Sequence, residues 1–199
     1  ISFTPIAVFC ILAKTFSTQG IETIMSLAGY FFTVVFVLIF HFLFTFSILI
    51  KLFTTLNPVK FFQNLKDVVV FTFSTSSSSA SIPFTLRAAE EKYGIDKSIS
   101  TFTVPLGATI NMDGTAIMQG CATFFLASLY GIDLGVNEII TIVITATIAS
   151  IGTAGIPSAG IIMLTVIFTQ IGIPLEGITL LLGVDRLLDM MRTSVNVSG

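Results

Sequence analysis

From Ile24 to Ile50 the chain is apolar almost without interruption, with no Asp, Glu, Lys or Arg and a single histidine, His41. That run exceeds the roughly 20 residues a helix needs to cross the hydrocarbon core of a bilayer, and it predicts a transmembrane helix within residues 21–57. An earlier apolar run, from Ile1 to near Phe16, predicts part of another helix within residues 1–20. The chain opens inside that run without Met or a signal peptide, so its natural start is expected to lie upstream. Lys51, Lys60 and Lys66 follow the long helix and Arg87, Lys92 and Lys97 follow the next apolar stretch, whereas residues 98–184 contain neither Lys nor Arg. The bias of basic residues toward the cytoplasm puts both clusters on that side. Only about 20 residues, 67–86, separate them, too few to cross a bilayer and return. A chain that starts and ends on one side must dip in and turn back. Residues 58–97 therefore read as a re-entrant hairpin, with a tip of small polar residues from Ser74 to Ser81, then Pro83.

A second such unit is expected over residues 132–174. Ile139–Ile148 and Ile161–Phe168 flank a run from Gly152 to Gly160 that holds Gly155 and Pro157, residues that do not continue a helix comfortably. Asp133, Glu138 and Glu176 are the nearby charges, which suggests entry from the outside. Between the hairpins, residues 98–131 are long enough to span, but Asn111, Met112, Asp113 and Gly114 interrupt them as a broken helix. Residues 175–199 predict a last transmembrane helix, truncated here. On one face it carries Asp185, Asp189, Arg192, Thr193 and Asn196 at spacings of three and four, and on the other Leu180, Leu181, Leu187, Leu188, Met191 and Val195. The expected fold is an all-α membrane protein with two re-entrant helical hairpins entering from opposite sides. That arrangement suggests an inverted repeat, as in secondary transporters with midplane substrate sites.

Composition narrows the class further. Hydrophobic residues make up 54% of the chain and charged residues 10%, with a mean hydropathy of +1.00, against about 25% charged in an ordinary soluble domain. A water-soluble fold is excluded. Cys10 and Cys121 lie far apart in apolar runs without metal-ligand spacing and read as packing residues. The phenylalanines between Phe31 and Phe53 read as a surface for lipid and for packing. No pairing of nucleophile and base and no metal triad points to an enzyme, and no cofactor motif is present.

Ionisable groups at membrane depth normally face a cavity or one another. Arg192 offers a planar fork of donors to a carboxylate, while Asp189, one turn earlier, offers a negative partner to an ammonium group. Together they describe an amino acid with an acidic side chain. The alternative is that Asp189 and Arg192 only neutralise each other. Asn111, Asp113 and Asn196 supply hard oxygen atoms suited to sodium; alternatively Asn111 and Asp113 merely cap a second half-helix beginning near Thr115. The serine run is either a functional tip aiming backbone N–H groups at an anion or a flexible linker. His41 reads as hydrogen-bonded to a neighbouring helix rather than as a proton relay.

Four ordered motifs, Ser76–Ala80 with Pro83, Asn111–Thr115, Gly152–Pro157 and Asp185–Gly199, closely resemble the dicarboxylate/amino acid:cation symporters, the glutamate transporter family, over the whole chain. The resemblance implies a multi-pass cell-membrane protein, surrounded by lipid and assembled as a homotrimer, whose transport domain moves like an elevator. It also implies a substrate between the two tips, lined by Ser78, Met112, Thr115, Ile156 and Gly160. Arg192 would hold the side-chain carboxylate, and Asp189, Thr193 and Asn196 the amino group and main carboxylate. Implied sodium ligands are Gly107, Asn111, Asp113, Asn196 and carbonyls near Ser150 and Gly152, whereas Asp185 is given no ligand. Some members carry an additional arginine at the place of Ser76 or Met190; here the nearest basic residue is Arg186.

The expected function is a secondary active symporter importing glutamate or aspartate with sodium, or with protons in its place. A C4-dicarboxylate or neutral amino acid carrier of the same family is the alternative. Asp189 disfavours dicarboxylates, because no ammonium would meet it. A channel or a structural subunit suits two dead-end hairpins with polar tips poorly, and no nucleic-acid partner is expected.

Overall fold

The structure, a computed structural model, describes residues 25–199; the helix expected within residues 1–20 and Cys10 lie outside the described residues. The first helix, α1 (Met25–Phe53), is the one helix among the described residues that is long and apolar enough to cross a membrane. Leu27, Tyr30, Val34 and Leu38, spaced three or four apart, make its buried stripe. Phe32, Phe36, Phe40 and Phe44 face outward, and Phe36, Phe40 and Phe44 stack as a ladder along the helix. From His41 to Thr45 the helix widens into a π turn, a feature common at functional sites.

Helix α2 (Pro58–Thr75) starts as its sequence dictates: Pro58 takes the first position, where no N–H is needed, and the Asn57 side chain accepts from the Val59 N–H at 2.8 Å. It stops at Ser76, which is left-handed at φ 50°, ψ 34°, and Ser77 then caps α3 (Ser78–Glu91) by accepting from the Ala80 N–H. The turn is therefore narrower than the Ser74–Ser81 tip that composition suggested. Pro83 lies inside α3, not at the turn. The two helices run antiparallel. Phe71 stacks on Phe84 at 3.8 Å near the turn, while at the open end the Lys92 ammonium meets Asp67 at 2.6 Å and the Tyr93 hydroxyl donates to the Phe61 carbonyl. Burial pushes the Tyr93 phenol up to about 12.

Asp96 caps α4 (Lys97–Ile110), and its carboxyl is held below the ordinary range by hydrogen bonds from the Ser98 side chain and backbone. Asn111 and Met112 are the break, and α5 runs over Asp113–Leu129. The second half-helix thus begins two residues before Thr115, and Asp113 is its first residue rather than a cap beyond it. A second antiparallel pair follows. Its outgoing arm is α6 (Val136–Ile151), and its return arm is a single turn, α7 (Ala159–Ile162), followed by α8 (Leu164–Ile171). Thr145 on α6 bonds Gln170 on α8 at 2.6 Å.

The last helix, α9 (Ile178–Ser198), lies at the centre, packed on α2, α5 and α3. Leu180, Leu181, Leu188 and Val195 are buried on it together with Asp185, Asp189, Arg192, Thr193 and Asn196, so the polar face is as enclosed as the apolar one. Leu187 alone of the apolar set is widely exposed, at 55%. The approach of α5 to α9 depends on Gly114, where a Cβ would stand 2.7 Å from the Arg192 carbonyl and 2.9 Å from the Asn196 side-chain oxygen. Backbone cannot move aside as a side chain can. Gly114→Ala is accordingly expected to cost about 1–3 kcal/mol, read as a lower melting temperature of the detergent-solubilised protein. An unchanged melting temperature would mean that the two helices are not packed this closely.

Candidate functional site

The polar face of α9 is organised around Arg192, which is 2% exposed. Its Nε donates to Asp189 Oδ1 at 2.9 Å and its Nη2 stands 2.8 Å from the same oxygen as an ion pair, while its Nη1 stands 3.5 Å from Asp185 Oδ1 and makes no hydrogen bond. The other oxygen of Asp189 accepts the Ser158 backbone N–H at 2.8 Å, and Arg186 reaches within 4.0 Å of it from a half-exposed position. One buried cation thus sits between two buried carboxylates, since Asp185 and Asp189 are 4% and 2% exposed. Pairing makes each burial tolerable.

The two turns meet over this cluster. The Gly155 carbonyl accepts from the Ser77 hydroxyl at 2.8 Å and from the Ser79 N–H at 3.1 Å. Gly160 lies directly against the guanidinium: a Cβ there would stand 2.8 Å from Arg192 Nη1 and 2.9 Å from the Thr115 methyl, so no side chain fits without displacing the arginine. Its carbonyl accepts from Gln119 Nε2 at 3.1 Å.

The broken helix is tied to α9 through amides. Asn111 Nδ2 donates to the Asn196 carbonyl at 2.8 Å. Asn196 Oδ1 accepts the Thr115 N–H at 3.2 Å, and its Nδ2 donates to Thr115 Oγ1 at 2.9 Å and approaches the Met112 sulfur at 3.2 Å. The amide orientation follows from the Thr115 N–H, which can only donate.

The residues expected around a substrate, Ser78, Met112, Thr115, Ile156, Gly160, Asp189, Arg192, Thr193 and Asn196, all line one small cavity of about 10 Å³, the space of about one water. The residues expected around sodium are divided. Gly107, Asn111 and Asn196 line a neighbouring cavity of about 380 Å³ with Ser78, Ser198 and Gly199. Asp113 instead turns one oxygen to His41 Nε2 at 2.6 Å and the other to the Gly114 N–H at 3.0 Å. His41 therefore has the neighbouring-helix partner expected of it, and that partner is a candidate cation ligand. Ser150 and Gly152 end α6, where the Ser150 carbonyl accepts from Thr153 and Gly152. Asn111 and Asp113 do not act as simple N-caps of α5.

One member of the cluster, Gln119, is not among the residues read from the sequence, whereas Asp185, expected on the polar face and given no ligand, has Arg192 as its contact. Gln119, fully buried, is one turn beyond Thr115 in an otherwise apolar run, and that isolated polarity was the available signal.

Known proteins of similar sequence match the whole chain. The model of the sodium:dicarboxylate symporter family matches residues 1–199. Excitatory amino acid transporter 3 of Mus musculus is 42% identical over 198 residues, covering 99% of this chain and 38% of the mouse protein. Excitatory amino acid transporter 2 of Homo sapiens is 40% identical over 199 residues, 99% of this chain and 35% of its own length. Excitatory amino acid transporter 1 of Rattus norvegicus is 42% identical, with 99% and 37% covered. The chain therefore spans well under half the length of these relatives.

Asp189 holds Arg192 by one hydrogen bond and one 2.8 Å ion-pair contact and also anchors Ser158, whereas Asp185 makes one longer contact. Asp189→Ala is expected to destabilise the protein by about 3–5 kcal/mol, the cost of leaving a buried charge without its partner, and Asp185→Ala by clearly less. Thermal unfolding of both variants checks the order; a larger loss for Asp185→Ala would reverse the assignment of the main counter-ion.

Proposed function

The chain belongs to the sodium:dicarboxylate symporter family, and on that premise we propose that its protein is a secondary active symporter that imports an acidic amino acid, glutamate or aspartate, together with sodium. Members of this family are transporters, not enzymes. The observation that carries the substrate reading is the buried Asp189–Arg192 pair beneath the meeting point of two helical turns, with Arg192 Nη1 left unbonded. An acidic amino acid brings a carboxylate for the guanidinium and an ammonium for the aspartate, so it exchanges one buried ion pair for two. A C4-dicarboxylate would leave Asp189 facing a second anion. A neutral amino acid would offer Arg192 no side-chain acceptor.

Cation coupling is supported by charge. Arg192 and Arg186 balance Asp185 and Asp189, so a zwitterion with an acidic side chain brings one uncompensated negative charge to the cluster. Transferring that assembly through a low-dielectric barrier requires accompanying cations. The amide and carbonyl oxygens around Asn111 and Asn196 are hard ligands suited to sodium, and the family's name agrees. Residues 58–97 and 132–174 act in this reading as re-entrant hairpins related by an inverted repeat, residues 98–131 as the broken helix, and residues 175–199 as the last helix of a transport domain. That domain moves by an elevator mechanism in a homotrimer of the cell membrane. Two turns that meet and close over the site favour a carrier over a channel.

The test is uptake of labelled aspartate and glutamate into liposomes containing the protein, with a sodium gradient, a proton gradient or neither. Accumulation against the substrate gradient that requires sodium is expected. Proton-driven accumulation without sodium would remove the sodium role from Asn111 and Asn196, and failure to accumulate either acid would overturn the substrate reading. Arg192→Gln is expected to abolish acidic uptake while leaving neutral amino acid uptake possible, because a buried carboxylate would then lack its partner. Unchanged glutamate uptake in that variant would sink the assignment of Arg192.

A further inference from the structure

We propose that the corner joining α1 to α2, residues 51–60, is a binding site for an anionic phospholipid. Lys51 and Lys60 meet the headgroup phosphate, and Leu52, Phe53, Leu56 and Val59 enter the boundary of the acyl chains. This surface is separate from the Arg192 cluster, and the proposal does not rest on the substrate reading.

At 1.5 Å per residue, the 29 residues of α1 make a helix about 43 Å long, against about 30 Å for the hydrocarbon core of a bilayer. The helix is therefore long enough for its last turn, which holds Lys51, to reach the headgroup layer. No Asp or Glu occurs between Met25 and Lys66. Lys51 and Lys60 are exposed, and neither pairs with an acid among the described residues, whereas Lys92 stands beside Asp67, Arg87 beside Glu91 and Arg186 beside Asp189. Two cations without a local counter-ion, held at the membrane surface, attract an anion there.

The apolar side chains between and beside these lysines are as unusual as the charges. Leu52, Phe53, Leu56 and Val59 are between 43% and 80% exposed. Exposed apolar residues scattered singly are ordinary, but four within eight positions at the end of a membrane-length helix form a patch that water solvates poorly and the acyl boundary solvates well. Local hydrogen bonds give the corner its shape. The Thr54 hydroxyl donates to the Ile50 carbonyl at 2.7 Å, the Leu56 N–H donates to Thr54 Oγ1 at 3.2 Å, and Asn57 caps α2. A free phosphate would answer the lysines alone and a neutral lipid the apolar side chains alone. An anionic phospholipid answers both.

The test uses the full-length protein in detergent, titrated with phosphatidylglycerol, phosphatidylcholine or inorganic phosphate while the melting temperature is followed, since a ligand that binds the folded state raises it. Phosphatidylglycerol is expected to raise the melting temperature, by less as salt is added, and the other two are expected to leave it unchanged. In the double variant Lys51→Gln/Lys60→Gln, the phosphatidylglycerol concentration giving half the rise is expected to increase about tenfold or more. In Lys51→Arg/Lys60→Arg it should stay at the wild-type value, and both variants should melt as the wild type does without lipid. An equal rise with phosphatidylcholine would leave the lysines without a role, and a rise with phosphate alone would make the ligand a free anion; either overturns the proposal. So would a wild-type titration in the glutamine variant, or a lower melting temperature of that variant without lipid, which would mark the corner as a contact with another part of the chain.

Discussion

A guanidinium withdrawn from water to 2% exposure has to be matched by charge and hydrogen bonds within reach, and in this protein both come from its own helix. Asp189 lies one turn before Arg192 and binds it through two nitrogens; Asp185, a further turn back, stands near the third. Such a cluster cannot face hydrocarbon, so α9 has to be surrounded. It is packed on α2, α3 and α5, and two of the closest approaches to it are made where side chains are absent. Gly114 lets α5 approach the Arg192 backbone, and Gly160 lets the second turn lie on the guanidinium.

The same requirement accounts for the interruptions of the helices. Regular helices satisfy their own backbone groups and offer nothing to a polar ligand; where they stop, N–H and C=O groups become available. Here the stops converge. The Ser76–Ser77 turn, the Asn111–Met112 break and the Gly152–Ser158 segment meet around Arg192 and Asn196. Each is tied in by a different device: Ser77 and Ser79 on the Gly155 carbonyl, Asn196 on Thr115, and Asp189 on the Ser158 N–H.

Much of this was legible in the sequence because the signals were local. Spacings of three and four put Asp185, Asp189, Arg192 and Asn196 on one face, and a Gly/Pro run and a serine run in apolar surroundings marked the turns. Two kinds of information were not local. At the start of α5, Asp113 turns its carboxylate toward His41, 72 residues away, a partner that no propensity encodes. Pro83, read from the sequence as closing the polar tip, sits within α3, where packing of the hairpin, with Phe71 on Phe84, outweighs the loss of one helical hydrogen bond. Asp185 is placed on that face without a partner, because a face periodicity shows which residues are together, not which of them touch.

The size of the cavity bears on how a substrate could enter. About 10 Å³ between the turns does not admit an amino acid, so in the proposed reading the turns must separate and close again. Hydrogen bonds join the turns to each other and the second turn to α9, where the Ser158 N–H bonds the Asp189 carboxylate that the substrate ammonium would seek. A ligand can shift such an equilibrium only by binding one arrangement better than the other. An ammonium at Asp189 competes with Ser158 and favours separation, whereas a carboxylate bound beneath the turns adds contacts that favour closure. An acidic amino acid carries both groups. In the proposed reading the buried aspartate and arginine would provide not only charge recognition but a physical means by which the two ends of one substrate act in opposite directions on the closure of the site.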